Sequence, residues 1–132
     1  MTDKKVSIII PAYNEEKNIQ RTIERFKSQK YFPMEVIVAV NGSSNRTSEI
    51  AEKYADKALL IKEPGVCNAR NEGVKIADGE VFIFSDADSY LSPGAVEKIA
   101  KAVDKNIIGT CFGKGDVFSW EQLPRNFIFN KS

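Results

Sequence analysis

The apolar run from Val81 to Phe84 constrains the fold of this chain more than any other stretch. All four residues are apolar, whereas a strand with one solvated face alternates apolar and polar side chains. Both faces of this strand must therefore be covered, which is typical of parallel sheets flanked by helices. Strands of such sheets carry functional groups at their carboxyl ends. We therefore expect a functional site directly after Phe84.

Two carboxylates follow this strand, at Asp86 and Asp88. Residues two apart point to the same side of an extended chain, so an extended path through Ala87 would bring both side chains together. Paired carboxylates suit Mg²⁺ or Mn²⁺, which complete their coordination with substrate phosphates and water. The alternative is a pair of solvated loop acids without a metal. Spacing alone leaves both interpretations open.

The rest of the chain alternates strand and helix patterns. Apolar runs predict further strands at residues 6–10, 35–40, 58–61 and 107–112. Apolar residues at helical spacing predict intervening helices that begin near Asn14, after Asn45, at Val66 and after Ser92. This order favours an α/β fold, a Rossmann-related and mostly parallel sheet with helices on both faces.

Proline and glycine refine these boundaries. We expect the first strand to stop at Pro11 and Gly79 to cap the end of the third helix. The third helix has a narrow stripe of small residues, which predicts close packing on the sheet; the stripe consists of Val66, Ala69, Gly73 and Ala77.

Composition limits the classes of protein to which this chain can belong. Its 132 residues suit one domain that buries roughly two thirds of its unfolded surface. The net charge of +1 argues against nucleic-acid binding. The two cysteines form no CxxC pair or zinc-ligand set, and we recognise no signal peptide or membrane span, so we expect a cytoplasmic protein. Because histidine is absent, proton abstraction falls to Asp, Glu or another group.

The motifs of other classes of phosphate-binding protein are missing from this sequence. A Rossmann dinucleotide site needs GxGxxG after the first strand, but residues 10–14 contain no glycine. A P-loop is also missing from the sequence. A receiver domain with Asp86 as phosphoacceptor is a minor alternative, because phosphoryl acceptance does not require Asp88.

Four stretches together resemble the family 2 glycosyltransferases, which have the GT-A fold and transfer a sugar from a nucleoside diphosphate with inversion. Residues 7–15 (SIIIPAYNE) resemble the opening motif of the family, and residues 35–43 (EVIVAVNGS) resemble its second-strand motif. Residues 65–73 (GVCNARNEG) are similar to its G-x-x-x-A-R-N-x-G helix, and residues 85–88 (SDAD) to its D-x-D motif. The resemblance implies a GT-A-like fold and the N-terminal, nucleotide-sugar-binding half of such an enzyme.

The resemblance also implies roles for individual residues in binding a UDP- or GDP-sugar. Tyr13 would offer a flat face and Glu15 an acceptor to the base or ribose; the alternatives are a packing ring and an acidic helix start. Arg70 would be a fixed cation near the nucleotide rather than a surface arginine. Asp88 would ligate Mg²⁺ or Mn²⁺, and Asp86 would reach the ribose or share the metal. The implied nucleotide-binding set is Pro11, Ala12, Tyr13, Glu15, Asn41, Arg70, Asp86 and Ala87.

Two departures limit what the resemblance implies. The family carries an acidic pair where this chain has Val40 and Asn41, so the base preference stays open. The catalytic base and acceptor site of the family lie well beyond the D-x-D motif, where this chain offers Asp116 and Glu121 without a motif for either. We therefore expect a nucleotide-binding core at residues 1–106, followed by a last strand and an incomplete acceptor region at residues 107–132.

The apolar tail at residues 113–132 has no helical or alternating period. We expect it to dock on a membrane surface, a lipid-linked acceptor or a partner subunit, which would make the protein membrane-peripheral. The alternative is that the tail covers the sheet as core. The function expected from the whole sequence is inverting sugar transfer to an unknown acceptor; the alternative is a module that binds a nucleotide sugar without turnover.

Overall fold

The computed structural model describes residues 4–42, 46–62, 65–88, 93–102 and 109–110. Strands and helices alternate throughout these residues, as the sequence predicts. Their bounds are β1 (Val6–Ala12), α1 (Ile19–Lys27), β2 (Met34–Asn41), α2 (Thr47–Tyr54), β3 (Lys57–Ile61), α3 (Val66–Ile76), β4 (Val81–Phe84), α4 (Ala95–Ala102) and β5 (Gly109–Thr110).

The five described strands form one sheet in the order β3-β2-β1-β4-β5. Every pairing is parallel, with Ile9 opposite Ile37 on one side of β1 and opposite Phe84 on the other. The strand order therefore reverses between β1 and β4. In an open α/β sheet this reversal opens a crevice at the carboxyl ends of the strands, where ligands bind.

Helices cover both faces of the sheet, which confirms the predicted fold class. On one face, Ile8, Val38 and Ile83 join a large buried cluster with apolar residues of α1, α2 and α4. On the other face, Ile9, Ile37 and Phe82 form a smaller cluster with residues at the end of α3. Neighbouring residues of β4 thus enter different clusters, which explains why its apolar run is continuous.

Helix α3 lies close to β1 because its small residues allow it. Ala69 and Gly73 are buried, and a Cβ atom at Gly73 would lie 2.6 Å from Ile9 Cγ2. The small-residue stripe predicted from the sequence is confirmed at these two positions. Val66, at the start of the stripe, is instead 50% exposed and borders the pocket described below.

Gly79 does not cap α3, so that prediction was wrong. The helix ends at Ile76, and its C-cap Ala77 is extended. Gly79 packs against β1, where a Cβ atom would lie 2.5 Å from Ser7 Oγ and 2.7 Å from Ser7 N. This position therefore requires glycine for close approach to a strand.

Strand β1 continues through Pro11 to Ala12, beyond the predicted end. The Ile9 carbonyl accepts a hydrogen bond from Ser85 N–H, so the backbone groups of Ile9 and Pro11 face the β4 side. Pairing with β4 ends at Ile9, so no β4 residue lies opposite Pro11. Proline lacks a backbone N–H group, and at this position none is needed for strand pairing.

Helix α1 begins at Ile19 rather than after Asn14. Asn14 has a φ of +51°, a left-handed conformation that asparagine tolerates, and the Glu15 carbonyl accepts hydrogen bonds from the N–H groups of Asn18 and Ile19. The sequence pattern nevertheless identified the buried face, since Ile23 is fully buried together with its neighbours on that face, Ile19 and Phe26.

A buried polar network fastens the start of β4 to the amino end of the sheet. The Glu35 carboxylate accepts hydrogen bonds from Ser7 Oγ at 2.5 Å and from Asp78 N–H at 2.7 Å, and it pairs with Lys57 Nζ at 2.9 Å. Gly79 N–H donates to Ser7 Oγ at 2.8 Å. Burial alone would raise the pKa of Glu35, but the bonds from Ser7, Lys57 and Asp78 outweigh it and hold the pKa below its ordinary value.

Several predictions concern residues outside the described part of the chain. Of the strand predicted at residues 107–112, the structure describes Gly109–Thr110, which form β5 and pair with β4. Asp116, Glu121, the domain boundary near residue 106 and the tail at residues 113–132 lie outside the described residues.

Candidate functional site

A pocket of about 310 Å³ lies where β1 and β2 end and α3 begins. Its size falls at the lower end of the range for small-molecule sites. Four of its residues belong to the nucleotide-binding set predicted from the sequence, and three belong to the start of α3; the lining consists of Pro11, Ala12, Tyr13, Asn41, Gly65, Val66 and Ala69.

The pocket walls are mostly apolar, with an aromatic ring at the edge. Tyr13 is 63% exposed, although tyrosine usually buries most of its ring. This exposure contradicts the alternative of a half-buried packing ring. An exposed aromatic face beside an apolar pocket suits the stacking of a flat ligand.

Asn41 places a buried hydrogen-bond acceptor at this pocket. Asn41 is only 6% exposed, and its Nδ2 donates a hydrogen bond to the Gly65 carbonyl at 2.6 Å. Oδ1 is buried and has no hydrogen-bond partner among the described residues. Because a buried polar atom without a partner is costly, this oxygen is suited to accept a hydrogen bond from a ligand.

Arg70 lies beside the end of β4, outside the pocket lining. Its guanidinium carbon is 5.9 Å from the centroid of the Phe84 ring, and Nε is buried without a partner in the described part of the chain. Phe84 precedes Asp86 by two residues. The structure therefore brings a cation close to the loop that carries the two carboxylates.

Both carboxylates of the Asp86-Ala87-Asp88 loop face solvent. Ser85 and Ala87 are buried, whereas Asp86 and Asp88 are exposed, so burial alternates along the loop. Strand β4 itself ends at Phe84, and residues 87–88 form a turn. Within the described residues, neither carboxylate has a hydrogen bond or ion pair through its side chain.

The donor set of this loop fits a hard divalent cation only in part. Two carboxylates are available, and the described residues contain no group of three Asp, Glu, Cys or His side chains that could hold a metal ion. Mg²⁺ and Mn²⁺ commonly use one or two carboxylates and complete their shells with phosphate oxygens and water. The residues therefore fit a cation that binds together with a phosphorylated ligand.

Thr22 anchors this loop, although no motif in the sequence indicates such a role. Thr22 is buried on α1, and its Oγ1 donates to the Ala87 carbonyl at 2.6 Å. The available signal was a polar residue directly before Ile23 on the apolar face of α1. Sequence alone offers no way to identify its partner, which lies 65 residues away.

Glu15 lies outside the pocket lining, although it was predicted to contact the nucleotide. Its Oε2 accepts a hydrogen bond from Asn18 Nδ2 at 3.1 Å, and its N–H donates to Thr47 Oγ1 at 2.9 Å. The bond to Thr47 joins the loop before α1 to the start of α2. These contacts indicate that Glu15 shapes the loop before α1.

The family of the chain is defined by its match with known proteins. Residues 7–131 match the model of Glycosyl transferase family 2, and the chain belongs to this family. The crystal structure of S. aureus TarS 1-349 in complex with UDP-GlcNAc is similar with a TM-score of 0.63 and 31% identity, over 74% of this chain and 30% of that chain. The predicted GT-A fold is thereby confirmed.

Curated relatives are longer than this chain. EpsJ, an uncharacterized glycosyltransferase of Bacillus subtilis, is 34% identical over 117 residues, which cover 83% of this chain and 34% of EpsJ. The dolichol-phosphate mannosyltransferase of Pyrococcus furiosus is 33% identical over 120 residues, which cover 84% of this chain and 34% of that protein. The chain thus spans about a third of the length of these relatives. Every helix among the described residues is too short or too polar to span a bilayer.

Proposed function

We propose that this domain binds a UDP- or GDP-sugar together with Mg²⁺ or Mn²⁺ and serves inverting sugar transfer to an acceptor. The observation that carries the proposal is the pocket at the ends of β1 and β2, with the buried, unpaired Oδ1 of Asn41. It lies at the same edge of the parallel sheet as the loop after β4 that bears two exposed carboxylates. The relative TarS, whose structure contains UDP-GlcNAc, supports a nucleotide-sugar ligand.

The base of the nucleotide would occupy the apolar pocket. Tyr13 would stack on one face of the ring, and Pro11 and Ala12 would contact it from the end of β1. Asn41 Oδ1 would accept a hydrogen bond from an N–H group of the base. Asparagine is uncharged, so this contact needs no ionised side chain.

The diphosphate would lie over the Asp86-Ala87-Asp88 loop. Asp88 would ligate the cation, and Asp86 would share it or bind the ribose. Arg70, held against Phe84, would add a fixed positive charge near the phosphates. The bound cation would act as a Lewis acid that neutralises charge on the departing nucleotide.

The catalytic base and the acceptor site stay predictions. Asp116 and Glu121 are the candidate bases, and the tail at residues 113–132 is the candidate contact for a membrane surface, a lipid-linked acceptor or a partner subunit. The dolichol-phosphate mannosyltransferase among the relatives is consistent with a lipid-linked acceptor.

Titration calorimetry with UDP, GDP and their sugars, with Mn²⁺ or with a chelator, tests the proposal. Replacing Asp88 by Asn removes one charged ligand worth about 1.5–3 kcal/mol, so affinity with Mn²⁺ should fall on the order of ten- to a hundredfold. Glu80→Gln is the matched control, because it removes an exposed carboxylate just before β4, at the opposite end of the strand.

Equal affinity for the Asp88→Asn variant and the parent, or no effect of Mn²⁺ on the parent, would show that the site assignment is wrong. Nucleotide release from UDP- and GDP-sugars, with and without candidate acceptors, separates transfer from binding alone. A protein that binds the donor but never releases nucleotide would be a binding module.

A further inference from the structure

We infer that Thr22 is a positioning residue for the carboxylate loop, and that it fixes the geometry in which Asp86 and Asp88 receive a metal–nucleotide complex. This inference rests on the proposed function of the loop. It goes further by assigning to α1, which carries none of the predicted ligand-binding residues, a role in metal-dependent binding.

The residue between the two carboxylates is held from two directions. The Ala87 side chain is 4% exposed and packs in the large apolar cluster, and the Ala87 carbonyl accepts the buried hydrogen bond from Thr22 Oγ1 at 2.6 Å. The loop is also held at its start, where Ser85 N–H donates to the Ile9 carbonyl at 3.1 Å.

These contacts fix the backbone and leave the carboxylates free. Asp86 and Asp88 flank the held residue, are exposed, and have no side-chain bonds among the described residues. A turn on the surface would otherwise sample many backbone conformations, and each metal-binding event would have to order it. Residues that orient metal ligands in this way affect affinity without touching the metal.

Thr22 is itself held in place by the packing of α1, which suits this role. It is 1% exposed, and it lies between Ile19 and Phe26 on the face of α1 that packs in the large cluster. A valine of the same shape would fit that face without any hydroxyl. The hydroxyl therefore serves the Ala87 carbonyl, which would otherwise be buried without this donor.

The test compares nucleotide affinity with Mn²⁺ and with EDTA, and uses the ratio of the two affinities as the readout. In Thr22→Val the hydroxyl is lost at constant shape, and the ratio should fall by about tenfold, the lower end of the effect expected for residues that orient metal ligands. In Thr22→Ser the hydroxyl is kept, and the ratio should recover. UDP and GDP serve as probes.

Thr47→Val is the matched control, because Thr47 is also a buried helix threonine but its Oγ1 accepts from Glu15 N–H instead. Its ratio should stay that of the parent. Ala87→Gly provides a second variant that removes the packed methyl and keeps the Thr22 bond, and it should lower the ratio in the same direction.

The outcomes separate this inference from the proposed function. If Mn²⁺ does not raise nucleotide affinity in the parent, the proposed metal site and the role of Thr22 are both overturned. If Mn²⁺ raises affinity in the parent and the ratio is unchanged in Thr22→Val, Thr22 is structural only, whatever Ala87→Gly shows. If the ratio is lowered in Thr22→Val and also in Thr22→Ser, the role of the hydroxyl is likewise overturned.

Discussion

Replacing Glu35 by Gln should destabilise the fold by about 2 kcal/mol at neutral pH. The amide oxygen of glutamine can keep the donors that Glu35 Oε2 now has, Ser7 Oγ and Asp78 N–H. The amide NH₂ group would then face Lys57 Nζ, donor against donor, where Glu35 Oε1 now pairs at 2.9 Å. One charge-assisted bond is lost, which is worth about 1.5–3 kcal/mol.

The magnitude stays moderate because Lys57 keeps other partners. Its Nζ donates to the Ile76 carbonyl and to Asp78 Oδ2, each at 2.8 Å, and its side chain is 31% exposed. Solvent therefore screens part of the loss. A domain of this size is typically stable by roughly 5–15 kcal/mol, so the variant should still fold.

The pH dependence provides a second signature. The folded-state pKa of Glu35 lies below its ordinary value of 4.5, so the ionised carboxylate contributes stability at pH above 4.5 and loses it as the pH falls through the folded pKa. Glutamine does not titrate. The stability difference between parent and Glu35→Gln should therefore be constant near neutral pH and shrink in acid.

Urea denaturation followed by circular dichroism at neutral and acidic pH measures both effects. Glu52→Gln is the control, because Glu52 is an exposed helix residue and its loss should change stability by less than about 0.5 kcal/mol. A Glu35→Gln variant as stable as the parent, or a difference that does not shrink in acid, would refute the reasoning.

Two further predictions concern α3 and the turn after it. Arg70→Ala should weaken nucleotide binding about tenfold in calorimetry, because a charge-assisted contact is lost. The melting temperature should shift by only a few degrees, because the packing of Arg70 on Phe84 is partly exposed. A large loss of stability with unchanged binding would assign Arg70 a structural role. Gly79→Ala should destabilise the fold by about 1–3 kcal/mol in urea denaturation, because the alanine Cβ would lie 2.7 Å from the backbone nitrogen of Ser7. A variant as stable as the parent would disprove this close approach.

The local pattern of the sequence determined the elements and the class of protein. Continuous apolar runs such as residues 81–84 predict strands covered on both faces, because each side chain must find a buried environment. Helical spacing identified Ile23 and its neighbours as a buried face even though the helix starts later than predicted. The motif order also predicted the family, and four residues of the pocket, among them Tyr13 and Asn41, were predicted from it.

The tertiary structure decided what each of these residues can do. Asn41 keeps a buried, unpaired acceptor at the pocket, while its amide NH₂ donates to the Gly65 carbonyl 24 residues later. Thr22 holds Ala87 across 65 residues, and Gly79 is required by its contact with Ser7. Such contacts depend on strand order and on which face each helix covers. Periodicity reports only whether a side chain is buried, so sequence could not name these partners.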